Sequence, residues 1–564
     1  MFGFGKITRD PLSDARTAKR WLESLPAQDP LAIHAALLTE LGRVADRTTK
    51  RAPAQLEAVF ALDAHTADVR RTLAAQYIEH ASRSSRIENQ LWSALFDLTQ
   101  GFLLAYQAFA RDVEANAGAG RWQQLQPELI ARQLRHLGQD AKIRLYRYEP
   151  WIPAKWSELH GLFGLALSRK LERAALPLEP GGGTTTIEHE YLIVLVLQLV
   201  HAGNTTPRHL EYVADELDGW CHPLRLTLEP TALSSYYVDL AGREGLKRRT
   251  PAPLEGRVLF LDTRPLHAVL LQNVVVLEQK IRTQPLSERT PKRNEQLALL
   301  QKLAAQADPE FRPFARRGER TAAAGTVDAI VGFAHLAGYL REEERNPVSH
   351  PELGQSYGGT MEFATFGRVR NEQDRIAEQS RRRLASHAAP GGPWEVKDVS
   401  QTGFRLVAPM VVANAVTLGT AVGLRPHGQK EWTVGIVRRM RRLTSDRAEI
   451  GLQVIATHVT GVDLIEQRKG AAEDYSVDGE ATTVNGRTFP GLLLALRKRG
   501  SDLPVHSLIV PAVEYQPSRR VKMLATRMAT RVRLGRLLEQ QSEWVWAAID
   551  PIEGETLLPA QPAG

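Results

Sequence analysis

The hexapeptide DVSQTG at 398–403 sets a carboxylate, two hydroxyls, an amide and a glycine between the apolar stretches of WEVKDVSQTGFRLVAP. Asp398 offers two acceptor oxygens on a short side chain, and the Ser400 hydroxyl both donates and accepts. Gly403 tolerates positive φ and lets the backbone approach a ligand closely. These are the parts of a seat for a polar molecule with several donors. They are equally the parts of a ligand-free hairpin turn, in which Asp and Ser cap the backbone and Gly supplies the left-handed position.

Other chemistry-bearing stretches fall short of a site. GGGTTT at 181–186 precedes a helical pattern, and its N–H groups could hold a phosphate, but no lysine follows as in a Walker loop. GFGKIT at 3–8 has no Ser or Thr directly after Lys6. His189 and His201 bracket one helix without a carboxylate at metal spacing, and Cys221 has only His222 beside it, so these read as structural. No Ser-His-Asp or paired-carboxylate constellation stands out. The expectation is a protein that is not an enzyme, with no cofactor and no metal.

The runs that follow DVSQTG carry a likeness. GFRLVA, LGTAVGLRP, WTVGIVRRMRR and IGLQV come in order after an (Asp/Asn)-x-Ser-x-x-Gly pattern. Over about 362–460 the sequence thus resembles a PilZ domain, a small antiparallel β-barrel whose typical members bind the bacterial second messenger cyclic diguanylate. DYSVDG at 474–479 fits the same pattern without flanking strands, so the flanks carry the likeness and not the hexapeptide alone.

The resemblance implies that Asp398, Ser400 and Gly403 meet the ligand, the carboxylate accepting from guanine N1–H and N2–H. Guanidinium forks would hold the two phosphates. The family's Arg-x-x-x-Arg element belongs upstream of the Asp, and this chain has no match there. It has Arg368, Arg370, Arg375 and the triplet Arg381, Arg382 and Arg383, of which Arg375 and the triplet are the expected ligand-binding arginines. The nearby Arg-x-x-x-Arg, Arg438 to Arg442, falls in a later strand. A degenerate barrel that binds no nucleotide and serves as a scaffold or adaptor stays open beside the ligand-binding reading.

Charge placement adds a third option. Residues 361–564 hold 28 Lys and Arg against 22 Asp and Glu, which accounts for most of the net charge of +8. In RRVKMLATRMATRVRLGRL, Arg519, Lys522, Arg531 and Arg533 alternate with apolar residues, so one strand face would be cationic and could meet nucleic acid. The scarcity of aromatics on that face for base stacking makes this the least favoured option.

The elements that position these residues follow from periodicity. From about 12 to 215 apolar residues recur at helical spacing, as in Leu91, Leu95, Leu98, Phe102 and Phe109. Short extended pieces interrupt at 222–262, and helical spacing resumes through TVDAIVGFAHLAGYL. The chain is expected to be α+β and multidomain: a mainly helical domain at 1–340, a linker at 341–361, the PilZ-like antiparallel β-barrel at 362–460, a linker loop at 461–485 and a second β-rich domain at 486–564. The charge-free window 406–424 holds Pro409, Asn414 and two glycines, which suit two strands and not a membrane span. The lone cysteine excludes a disulfide framework, and MFGFGKITRDPLSD lacks the apolar core of a secretion signal. A bacterial cytoplasmic signalling effector is expected, whose helical domain contacts a protein partner.

Overall fold

The computed structural model describes residues 10–47, 49–80, 84–116, 120–179, 181–200, 205–250, 256–283, 291–310, 321–345, 393–400, 402–410, 416–426, 431–444, 446–466, 487–497, 504–525 and 528–552. The chain divides into two compact units, Met1–Pro313 and Phe314–Gly564.

In the first unit the helical spacing becomes α1 (Ala15–Glu23), α2 (Pro30–Ala45), α3 (Pro53–His65), α4 (Ala67–His80), α5 (Ser85–Ala115), α6 (Gly120–Tyr146), α7 (Pro153–Ser168), α8 (Ile187–Val200) and α9 (Pro207–Cys221). Several starts are written in the sequence. The Asp14, Asp29 and Thr206 side chains each accept a backbone N–H of the first turn, and Pro30 and Pro207 stand where no N–H is needed. The apolar stripe of α5 serves two cores, Leu91 and Leu95 facing one and Leu98, Phe102 and Phe109 the other, all at most 5% exposed. The break at 222–262 is a small sheet of β1 (Leu226–Thr227), β2 (Tyr236–Asp239), β3 (Lys247–Arg248) and β4 (Val258–Leu261), in the order β1-β4-β2-β3. Then α10 (Arg264–Thr283) and α11 (Pro291–Ala307) follow.

The second unit contains two closed barrels. After β5 (Thr321–Val331) and α12 (Phe333–Arg345) come β6 (Trp394–Ser400), β7 (Gly403–Pro409), β8 (Ala421–Pro426), β9 (Thr433–Arg442) and β10 (Arg447–Ala456), closing as β10-β7-β6-β5-β8-β9. The second barrel is built of β11 (Val459–Glu466), β12 (Thr488–Arg497), β13 (Pro504–Pro511), β14 (Arg520–Ala525), β15 (Met528–Gln540) and β16 (Trp544–Pro551), closing as β11-β12-β13-β16-β15-β14. The period-two runs expected at 394–456 are β6 to β10. The charge-free window begins in β7 and ends in β8, and among the described residues no helix is long and apolar enough to cross a membrane.

Several expectations change at the boundaries. The helical reading of TVDAIVGFAHLAGYL is split by Gly332 at φ 91°, so Val331 and the residues before it form β5 and the helix starts at Phe333. Alanines favour a helix locally, but pairing with β6 on one side and β8 on the other overrides that preference and closes the barrel. The first barrel therefore begins at 321 and not 362, the helical unit ends before 340, and residues 341–345 are the last turn of α12 and not a linker. The rest of that expected linker, from 346, lies outside the described residues. Likewise 461–466 belong to β11, so the second barrel opens well before 486.

Candidate functional site

The register of β6 on β7 decides what Asp398 can do. Val396 pairs with the buried Leu406, and a bulge at Lys397 then puts Asp398 opposite Arg405 on the outer face. In a regular, unbulged strand Asp398 would share the inward face of Val396. Asp398 is 7% exposed, and Arg405 lies over it, with Arg405 Nε 2.6 Å from Asp398 Oδ2. The Arg405 side chain is 43% exposed and also comes within 3.6 Å of Glu449 on β10.

The turn itself is closed by its own residues. Ser400 Oγ donates to the Gly403 carbonyl at 3.3 Å. Gly403 does not take the positive φ that its place in the turn suggested. It must be glycine for another reason: a Cβ there would run into the Leu452 carbonyl oxygen of β10. Close approach at this position is between strands of the barrel.

Arg375, Arg381, Arg382 and Arg383, with Arg368 and Arg370, lie outside the described residues, as do Gln401 and the second hexapeptide at 474–479. The ends of the later Arg-x-x-x-Arg are engaged elsewhere. Arg438 donates to Glu539 of the second barrel at 2.7 and 2.6 Å and to Gln453 at 2.8 Å, and Arg442 donates to the Thr444 carbonyl at 3.3 Å.

The cationic strand face of the second barrel is present with one correction. Arg520 stands opposite Arg533 and Lys522 opposite Arg531, outside a buried Val521, Met523 and Val532. Arg519 does not share that face. It turns to Glu466 at 3.0 Å and Glu514 at 3.1 Å, over the Phe489 ring at 5.2 Å. Trp544 is fully buried, and Trp546 is half-buried with its N–H donated to Ser507 Oγ at 2.9 Å.

In the helical unit, His189 Nε2 lies 2.8 Å from Asp218 Oδ1, a carboxylate that only the packing of α8 against α9 reveals. Cys221 is buried, which pushes its thiol up, away from the reactive thiolate. His201 is outside the described residues. Thr186 of GGGTTT caps α8, its Oγ accepting from His189 N at 3.1 Å, and Thr185 Oγ donates to Glu190 at 2.9 Å. Among the described residues no group of His, Cys, Asp and Glu could hold a metal ion.

A closed six-stranded antiparallel barrel with an outward Asp and a Ser-x-x-Gly turn on its second and third strands matches the expected class, and comparison agrees. Residues 354–460 match the family model described as the middle PilZ domain of the cyclic-di-GMP receptor FimW, and residues 16–231 match the model of its N-terminal domain. The chain is a PilZ-domain protein. It is similar to the cyclic-di-GMP receptor FimW of Pseudomonas aeruginosa, 23% identical over 349 residues. That match covers 55% of this chain and 55% of the relative, so the chain spans about half the length of the curated relative it matches. The matched PilZ segment starts downstream of β5, the strand that closes the barrel here.

Proposed function

We propose that the protein is a bacterial cytoplasmic signalling effector without catalytic activity, which binds cyclic diguanylate on the outer face of the first barrel and relays it to a protein partner of the helical unit. The observation that carries this reading is Asp398: a carboxylate aimed outward by a bulge and lying under a half-exposed arginine. Ligand binding would exchange the present partners of Asp398 for the paired N–H donors of a guanine edge, with Glu449 already 3.6 Å from Arg405. Similarity to a cyclic-di-GMP receptor over both matched segments supports the same ligand. The partner arm is supported by the exposed apolar residues Leu271, Val275 and Val276 along α10.

A specific observation favours a second reading. Asp398 has its ion pair with Arg405, and Gly403 is demanded by the backbone of β10, so the signature also does an architectural job in a ligand-free scaffold. Calorimetric titration of the full chain with cyclic diguanylate, beside GTP and a linear dinucleotide, separates the two. Saturable binding selective for the cyclic ligand and weakened about tenfold or more in Asp398→Ala is the expected result, since hydrogen bonds to a charged group are worth about 1.5–3 kcal/mol. Neither heat nor thermal stabilisation at high ligand concentration would leave the scaffold reading.

A further inference from the structure

The strand register of the first barrel assembles a second pair of arginines beside Asp398. Directly paired residues share a face of the sheet. Asp398 on β6 pairs with Arg405 on β7, Arg405 with Gly451 on β10, and Gly451 with Arg439 on β9. The adjacent row runs Glu395, Val407, Glu449, Arg441 across the same strands. With strands about 4.8 Å apart, Arg405 and Arg439 stand roughly 10 Å from each other across the one position in that row with no side chain. A Cβ at Gly451 would come within 3.3 Å of Arg439 Cβ, so the glycine keeps this strip as bare backbone.

The arginines of the barrel differ in what they meet. Arg405 faces Asp398 and Glu449, Arg425 donates to Glu343 at 2.9 Å, Arg438 is held by Glu539, and Arg447 pairs with Glu395. Arg439 and Arg441 are exposed, and among the described residues neither side chain has an ion pair or hydrogen bond. Two guanidiniums two residues apart on one strand face repel each other, and an anion between them relieves that repulsion. Residues 438–442 thus form an arginine element of a different pattern: the ends of Arg-x-x-x-Arg turn away, and its inner arginines point to the ligand face.

Resting on the cyclic diguanylate reading above, we infer that Arg439 and Arg441 of β9 are the phosphate-holding arginines of this barrel, gripping the ligand's phosphodiesters across the Gly451 strip while Asp398 takes a guanine edge. Guanidinium forks fit phosphate oxygens two at a time, and the bare strip lets a flat dinucleotide lie close to the sheet. Arg405, between the two ends, is free to stack on the base once it leaves Asp398.

The test titrates the full chain with cyclic diguanylate as wild type, as Arg439→Ala/Arg441→Ala, as Arg439→Lys/Arg441→Lys, as Gly451→Val and as Arg381→Ala/Arg382→Ala/Arg383→Ala. Thermal unfolding runs beside each titration. Expected are about a 50-fold or greater loss in the alanine pair with unchanged unfolding temperature, an intermediate loss in the lysine pair, and loss in Gly451→Val. Added salt should weaken the wild type more than the alanine pair. Wild-type binding left unchanged by the alanine pair and abolished in the 381–383 triple variant would overturn this inference and leave the ligand reading standing. A wild type that does not bind would overturn the ligand reading, and this inference with it.

Discussion

Asp63 on α3 is fully buried, and donors from three other helices converge on it. The Tyr106 hydroxyl donates at 2.8 Å, and nitrogens of Arg70, Arg132 and His136 each approach to 3.0 Å. Burial alone would raise its carboxyl, but His136, Arg70 and Arg132 together hold it well below the usual range. With two guanidiniums already on the carboxylate, burial keeps His136 neutral and its value lowered. The sign follows for both groups: the unfolded chain takes up protons that the folded unit refuses, so stability is fully present above the unfolded values and lost on acidification. Loss starts as pH falls below the ordinary histidine value of 6.5, where the buried His160 and the half-buried His34 and His209 shift the same way, and continues through the carboxylate range as Asp63 is forced to protonate. Denaturant unfolding of the full chain between pH 7 and 3 should show the helical unit weakening steadily, with Asp63→Ala costing about 3–5 kcal/mol at pH 7 by stranding buried cations. A flat profile would refute the assignment of a charged Asp63. Nothing in the sequence around Asp63 marks it, because its partners lie on separate helices and only their packing brings them together.

At the scale of elements, α12 explains two glycines that no turn requires. Gly423 of β8 seats Leu336, and Gly461 of β11 lies against the backbone of Arg341, so a Cβ at either place would displace the helix. The helix is then fixed at both sides. Glu343 accepts from Arg425 and from Trp432 Nε1, each at 2.9 Å, and Arg341 pairs with Asp463. Gly461→Val should therefore cost about 1–3 kcal/mol through overpacking against backbone that cannot yield, measured by chemical denaturation. Little or no loss would mean that the helix is not held against β11. Legibility in the sequence divides along the same line. The strands β6 to β10 are short runs of β-favouring residues bounded by turn residues and could be read directly, whereas TAAAG in β5 has no such composition and gains its conformation only from barrel closure. Asp398 and Ser400 were legible as a local motif. Arg439 was not, since its nearness to Asp398 depends on register across three intervening strand contacts.

Across the unit Phe314–Gly564 the barrels share one core instead of meeting as finished bodies. Phe333, Leu336, Ala337 and Leu340 of α12 pack with Ala421, Trp432, Val434 and Ile436 of the first barrel and with Leu492, Leu494, Ile509 and Trp544 of the second. Trp544 donates its N–H to the Gly419 carbonyl at 3.1 Å, and Arg438 spans to Glu539, so polar contacts close the rim of that apolar core. A ligand on β7, β10 and β9 would thus touch the strand from which Arg438 crosses to the second barrel. Such coupling requires the barrels to open together. Leu336→Ala should cost about 2–5 kcal/mol, and amide exchange of the full chain should show protection falling alike in β9 of the first barrel and β13 and β16 of the second. Loss confined to β5, β8 and β9 would show that the second barrel stands alone. In that case the Arg438–Glu539 bridge is a surface contact only, and no signal taken up at Asp398 is passed through it.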